Sequence, residues 1–396
     1  MHRDCQDIKR SVTIWPCVFA RLRVLPSACT LSFHYKHVGG QELVCLPKLW
    51  LNRPMSQLNR KGRISMRKPR RAVKERVASS LAYSQDPGSL LPGIEPYYTT
   101  SLGAAYLHDS LRILKALPGN SVNAVITSPP YALHFKKEYG NASKGDYVSW
   151  FVPFAAEIFR VLTDDGSFVL NIGGSYNKGE PTRSLYHFKL LIELVERLKF
   201  HLAQESFWFN PAKMPMPAEW VTVRRMRIRD SVEYVWWLSK TPWPKADNRG
   251  VLKAYSKDMQ RLNKKGVSPT TRPSGHAIKS SFTKVDAGGS IPPNVIEADV
   301  PTDMLVFGNN AANDNYTLRC KEAGIRIHPA RFPAALPEFF IRLLTSEGDT
   351  ILDPFAGSNT TGAVAEKLAR RWIAVELVED YLKASKFRFD GQIRLL

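Results

Sequence analysis

The chain has 396 residues, 44% of them hydrophobic, which is enough for two or three domains and a sizeable core. Its 56 lysines and arginines against 36 aspartates and glutamates leave a formal charge of +20, which predicts a polyanionic partner. The 5 cysteines include no Cys-x-x-Cys pair or metal-ligand spacing, and no apolar run is long enough to span a bilayer.

Residues 1–65 are expected to be a non-native or unstructured extension ahead of a true start, with Met66 the alternative initiator. They hold Cys5, Cys17, Cys29 and Cys45, lack periodicity, and begin Arg-rich and acid-poor in weak imitation of a transit peptide. Residues 66–95 read as a basic arm, in which Arg67-Lys68-Pro69-Arg70-Arg71 is a solvated terminus or a short DNA contact. Asp109 in His108-Asp109-Ser110 precedes a helix and reads as its N-cap.

The strand Asn123-Ala124-Val125-Ile126 runs into Thr127-Ser128-Pro129-Pro130-Tyr131. Two successive prolines leave no further ladder to make, so the strand stops at the carboxyl edge of a sheet, where open α/β folds bind ligands. Ser128 and the Pro129 carbonyl can there accept hydrogen bonds from one amino group. Tyr131 offers a flat face to a planar ring. The set suits chemistry on the exocyclic amine of a nucleobase, although alone it also describes an ordinary strand-to-loop turn.

A helix is predicted over 147–162, with Phe151, Phe154, Ala155, Ile158 and Leu162 on one face. Asn171 ends the strand 167–170 just before Gly173-Gly174 and so faces the same pocket. A second helix over 186–198 sets Phe188, Leu191, Ile192, Val195 and Leu198 at helical spacing. From about 205 to 296 the chain is basic and rich in aromatics. Arg224-Arg225-Met226-Arg227-Ile228-Arg229 alternates charge with apolar residues, as an edge strand or short helix along a phosphate backbone does. The apolar run 232–238 reads as a core strand, 253–289 as loop-dominated, and 337–344 as a short helix.

The strand Thr350-Ile351-Leu352 leads into Asp353-Pro354-Phe355-Ala356-Gly357-Ser358-Asn359-Thr360-Thr361-Gly362, which opens a helix over about 361–370. Small residues let backbone approach a ligand closely. The loop is neither a phosphate loop nor a Gly-x-Gly-x-x-Gly fingerprint. The next strand, 372–375, ends in Glu376, placed for ribose hydroxyls or simply solvated at a strand end.

These motifs, in this order, resemble the DNA N4-cytosine/N6-adenine amino-methyltransferases in their permuted β arrangement, over roughly 97–389. Three further stretches carry the likeness: Phe209-Asn210-Pro211-Ala212-Lys213, Arg272-Pro273-Ser274-Gly275-His276 and His328-Pro329-Ala330-Arg331-Phe332-Pro333. The resemblance implies an α/β fold, a Rossmann-like S-adenosyl-L-methionine-dependent sheet with circularly permuted motif order and an inserted target-recognition region. Residues 96–204 would form the catalytic half, 205–300 the recognition region and 301–396 the cofactor half.

By the same resemblance Ser128, Pro129, Pro130, Tyr131 and Asn171 are catalytic, with Tyr131 stacking on a flipped base. Some relatives carry an acid where Asn171 sits. Asp353, Phe355, Ala356, Gly357, Ser358, Asn359, Thr360, Thr361 and Glu376 belong to the cofactor site. Asp109 contacts the cofactor adenine or merely caps its helix, and the stretch 328–333, with His328 and Pro329 in the cofactor site, covers the methionine end, His328 without acid-base work. Arg224, Arg225, Arg227, Arg229, Arg272, Ser274 and His276 meet DNA. The sulfonium is itself an activated electrophile, so no metal and no covalent enzyme intermediate is implied.

Serine at the head of the first motif goes with cytosine N4 in this family, and Asp or Asn with adenine N6. The expected partner is double-stranded DNA, acted on by a monomeric restriction-modification enzyme in the cytoplasm, associated with the nucleoid. A cognate restriction endonuclease and the site CAGCTG complete the expectation. Adenine-N6 transfer and a catalytically silent DNA-binding module stay open as alternatives. A cytosine-C5 enzyme needs a Pro-Cys nucleophile, and Pro16-Cys17 lies in the extension.

Overall fold

The computed structural model describes residues 87–132, 142–211, 213–271, 273–278, 286–297 and 314–389. The expectations for 1–65, for the basic run 67–71 and for Arg272 lie outside the described residues.

In chain order, β1 (Tyr98–Thr99) and β2 (Gly103–Leu107) precede α1 (Ser110–Ala116), β3 (Val122–Thr127), α2 (Tyr147–Val161) and β4 (Leu162–Ile172). Then come α3 (Tyr186–Glu196), the antiparallel pair β5 (His201–Phe209) and β6 (Val232–Ser239), and α4 (Lys257–Lys265). A small hairpin of β7 (Thr270–Thr271) and β8 (Ala277–Ile278) is followed by β9 (Val295–Glu297). The last part contains α5 (Asn315–Glu322), α6 (Ala335–Leu344), β10 (Thr350–Asp353), α7 (Thr360–Lys367), β11 (Arg371–Glu376) and α8 (Glu379–Ser385).

Nine strands form one sheet in the order β1-β2-β11-β10-β3-β4-β6-β5-β9. Its centre, from β2 to β4, is parallel, and β6 adds antiparallel to β4. Successive side chains of a strand point to opposite faces, and both faces here are buried. Val125, Phe168, Leu352 and Ile373 join a core with α1, α2 and α3, whereas Ala124, Val169, Ile351 and Trp372 join one with α6, α7 and α8. This is why the central strands read as unbroken apolar runs. From β10 the chain winds through α7 to β11 on one side, and from β3 through α2 to β4 on the other. The order therefore reverses between β3 and β10, the place where such sheets form a ligand crevice.

Three expectations need correction. The buried stripe of α3 is Tyr186, His187, Leu190 and Leu194, while Phe188 and Ile192 are 36% and 53% exposed. Apolar residues surround enough of that helix for periodicity to fit either face, and packing of His187 on Tyr234 and Trp236 decides. The loop-dominated stretch 253–289 also holds α4, capped by Ser256 and closed by Gly266 at φ +75°, in keeping with that reading. The arginine run is neither strand nor helix. It leaves a single wide turn, Glu219–Val223, and reverses at Arg225 with φ +54°. The boundary drawn before residue 205 falls within β5, because β5, β6 and β9 extend the catalytic sheet and bury Val235, Trp236 and Leu238.

Candidate functional site

The carboxyl ends of β3 and β10 are tied together by a buried carboxylate. Asp353 Oδ1 accepts Thr127 Oγ1 at 2.6 Å and the Phe355 amide at 3.1 Å, and Oδ2 accepts Thr361 Oγ1 at 2.7 Å. Burial pushes its carboxyl up to about 6, against the pull of these three donors. Ser110 at the start of α1 donates to the Pro354 carbonyl at 2.5 Å.

The loop after β10 is pinned from within. Gly357 has φ +53°, and a Cβ there would stand 3.0 Å from His328 Nε2. Asn359, also left-handed, caps α7 by accepting the Gly362 amide at 3.1 Å and donates to Tyr98 Oη at 3.0 Å. Arg388 donates to the Ser358 carbonyl at 2.7 Å. Glu376 ends β11 with Oε2 on the Gly357 amide at 2.8 Å and Oε1 on the Leu377 and Val378 amides, both at 2.9 Å. Burial pushes the Glu376 carboxyl up while those amides pull it down.

A cavity of about 550 Å³ opens between the two loops. Of the predicted residues it is lined by Ser128, Pro129, Pro130, Tyr131 and Asn171 on one side. Phe355, Ala356, Gly357, Ser358, Thr360, Glu376, Asp109 and His328 line the other. Asp353, Asn359, Thr361 and Pro329 are absent from the wall, and the first three hold the loop by the bonds just described. Asp109 does both things open to it, since it lines the cavity and caps α1 by accepting the Arg112 amide at 2.9 Å. Burial pushes the His328 imidazole down to about 4, so it is neutral at pH 7, and its Nδ1 accepts the Ala330 amide at 3.3 Å.

Tyr131 is held at both ends. Its ring lies against Gly173, where a Cβ would stand 2.5 Å from it, and its hydroxyl meets Ser128, Asn171 and Glu233. Asn171 Nδ2 donates to the Tyr234 carbonyl at 3.1 Å, which turns Oδ1 toward Tyr131.

Several wall residues escaped sequence reasoning. Trp150 and Phe154 of α2 pack on Phe355 with centroids 6.0 and 5.2 Å apart. Trp208 of β5 is 2% exposed, and its indole Nε1 has no hydrogen-bond partner among the described residues. Arg331, by contrast, belongs to the stretch 328–333 expected at the methionine end; it is buried, pairs with Asp314 at 3.1 Å and lies over the Tyr316 ring. Glu233 of β6 was missed although it left a signal, a lone acid within an apolar run read as a core strand, where a buried charge needs a partner. Arg388 and Trp208 left no such signal.

The predicted DNA contacts stand away from the cavity wall. Arg224, Arg225 and Arg229 are exposed, and Arg224 pairs with Glu219 at 2.7 Å and lies over Trp220. Arg227 is tied inward, donating to the Pro181 carbonyl at 2.5 Å and lying over the Tyr176 ring. Ser274 and His276 are exposed in the β7–β8 hairpin.

The model for N6/N4-type DNA methylases matches residues 122–387. The Type II methyltransferase M.PvuII of Proteus hauseri is 50% identical over 300 residues, 75% of this chain and 86% of that protein. The Type II methyltransferase M.ScaI of Streptomyces caespitosus is 27% identical over 307 residues, 76% of this chain and 86% of that protein. The solved PvuII DNA methyltransferase (cytosine-N4-specific) superposes with a TM-score of 0.60 at 44% identity, covering 76% of this chain and 92% of that one.

Proposed function

The chain belongs to the N6/N4 DNA methylase family, and from that premise we propose that it methylates cytosine N4 in double-stranded DNA, with S-adenosyl-L-methionine as donor. The observation that carries this reading is a single cavity walled by Ser128 and Pro129 at the end of β3 and by Phe355 to Ser358 and Glu376 beside it.

The residues present fit the cofactor. The cavity is within the usual range for a small-molecule site. Phe355, Trp150 and Phe154 give an apolar wall for a planar base, and Glu376 and Asp109 supply carboxylates for hydroxyl or amino groups. When bound, the cofactor supplies a methyl group on a cationic sulfur, already activated for transfer. Ser128 Oγ and the Pro129 carbonyl accept the amino hydrogens of the target and favour rehybridisation of its nitrogen. They act by position and electrostatics, which dominate where charge develops. The base leaves the duplex at a cost of about a few kcal/mol and meets the Tyr131 ring.

Arg225 and Arg229 contact phosphates, while Ser274 and His276 in the hairpin approach the duplex. The site is CAGCTG, and a monomer methylates each strand in a separate event. A cognate restriction endonuclease completes the pair, in the cytoplasm at the nucleoid.

The test is expression in a methylation-free bacterial host followed by nucleoside mass spectrometry of its digested DNA. N4-methylcytosine is expected. N6-methyladenine would overturn the inference from Ser128 to cytosine. Absence of both, with no cofactor binding by calorimetry, would leave a silent DNA-binding module.

A further inference from the structure

Glu233 belongs to neither catalytic loop, yet its carboxylate faces the cavity that lies between them. It sits on β6 opposite Trp208 of β5 and is 8% exposed. A charge so buried needs partners, and it has one at each oxygen. Oε2 accepts the Tyr131 hydroxyl at 2.8 Å, and Oε1 accepts Lys213 Nζ at 3.0 Å.

A phenol has one hydrogen to give. Asn171 Oδ1 also stands 3.3 Å from Tyr131 Oη, but the nearer and charged acceptor takes that hydrogen. Tyr131 Oη then has only lone pairs for its other neighbour. At the 3.2 Å contact between them, Ser128 must therefore donate. The hydrogens run one way, from Ser128 to Tyr131 to Glu233, and the Ser128 oxygen keeps only lone pairs for a ligand.

Building on amine methylation as the reaction, we propose that Glu233 is a positioning residue that fixes this direction, making Ser128 an acceptor for the target amine. It also receives the proton that the reaction releases. As the nitrogen–methyl bond forms and the sulfonium's sulfur–methyl bond breaks, sulfur becomes neutral and the nitrogen takes up the positive charge. The nitrogen then loses one proton to Ser128 Oγ, whose own hydrogen passes to Tyr131 Oη, while the tyrosine hydrogen passes to Glu233 Oε2. The carboxylate ends as a neutral acid and returns its proton to water. Lys213 donates to Oε1 and so holds the carboxylate with Oε2 turned to Tyr131.

E233Q keeps the shape but brings an amide that can donate to Tyr131, reversing the chain and turning the Ser128 hydrogen toward the ligand. With duplex DNA containing CAGCTG, E233Q should lower kcat about 100-fold. The KM for DNA and the Kd for S-adenosylhomocysteine by calorimetry should stay within about twofold of wild type. Adding E233Q to Y131F should cost nothing further, because Glu233 acts through the tyrosine hydroxyl. E233D should recover part of the rate, and carries the same double-variant test if E233Q melts early. Unchanged kcat in E233Q, or losses that multiply in the double variant, would overturn the assignment. A wild-type protein that leaves cytosine unmethylated would instead sink the reaction itself.

Discussion

Glu376 at the end of β11 accepts the Gly357 amide at 2.8 Å, so the carboxylate that closes one strand also fixes the loop that follows its neighbour. A single side chain thus shapes the loop and lines the cavity it borders.

E376A should weaken S-adenosylhomocysteine binding by about 10-fold or more, as expected for losing a charged hydrogen-bond acceptor. Its melting temperature should fall as well, since three amides lose their partner. Calorimetry and thermal melting read the two effects separately. Unaltered cofactor affinity would remove Glu376 from the site.

S128A should do the reverse. It removes an acceptor that faces the cavity but leaves the loop after β10 intact. Turnover should drop about 100-fold with cofactor affinity unchanged. A collapse of cofactor affinity in this variant would mean that the roles of the two loops are exchanged.

Asp353 gives a signature in pH. With its carboxyl pushed up to about 6 by burial, the folded chain holds a proton between about pH 4 and pH 6 that the unfolded chain has released. Stability from this group is whole below that window and is lost as the pH rises through it, by about 3 kcal/mol at most. The difference in denaturant stability between wild type and D353N should therefore shrink from pH 4 to pH 6 and be flat above. A difference that stays constant over the window would show that the carboxyl titrates normally.

R225A should weaken DNA binding alike at cognate and unrelated sequences. The slope of log affinity against log salt should become shallower by about 1, as expected for one lost phosphate contact. Loss confined to the cognate site would instead make Arg225 a reader of base edges.

The legible parts of the site were those whose cause is local. Prolines at 129 and 130 stop β3, a left-handed Gly357 turns the loop after β10, and Asp109 caps α1, each from its own few residues. The face of α3 was misread because an apolar surface on more than one side leaves the choice to the neighbour that packs on it.

The sequence by itself determined the two loops, their strands and their order, because strand ends, turns and caps depend on residues within a turn or two of one another. Only the tertiary structure decided what stands between the loops. Glu233 and Trp208 reach the cavity because β6 and β5 join the far side of the sheet, and Arg388 reaches Ser358 from beyond α8. Such meetings depend on which strands lie side by side and how their register aligns, and spacing along the chain carries no record of either.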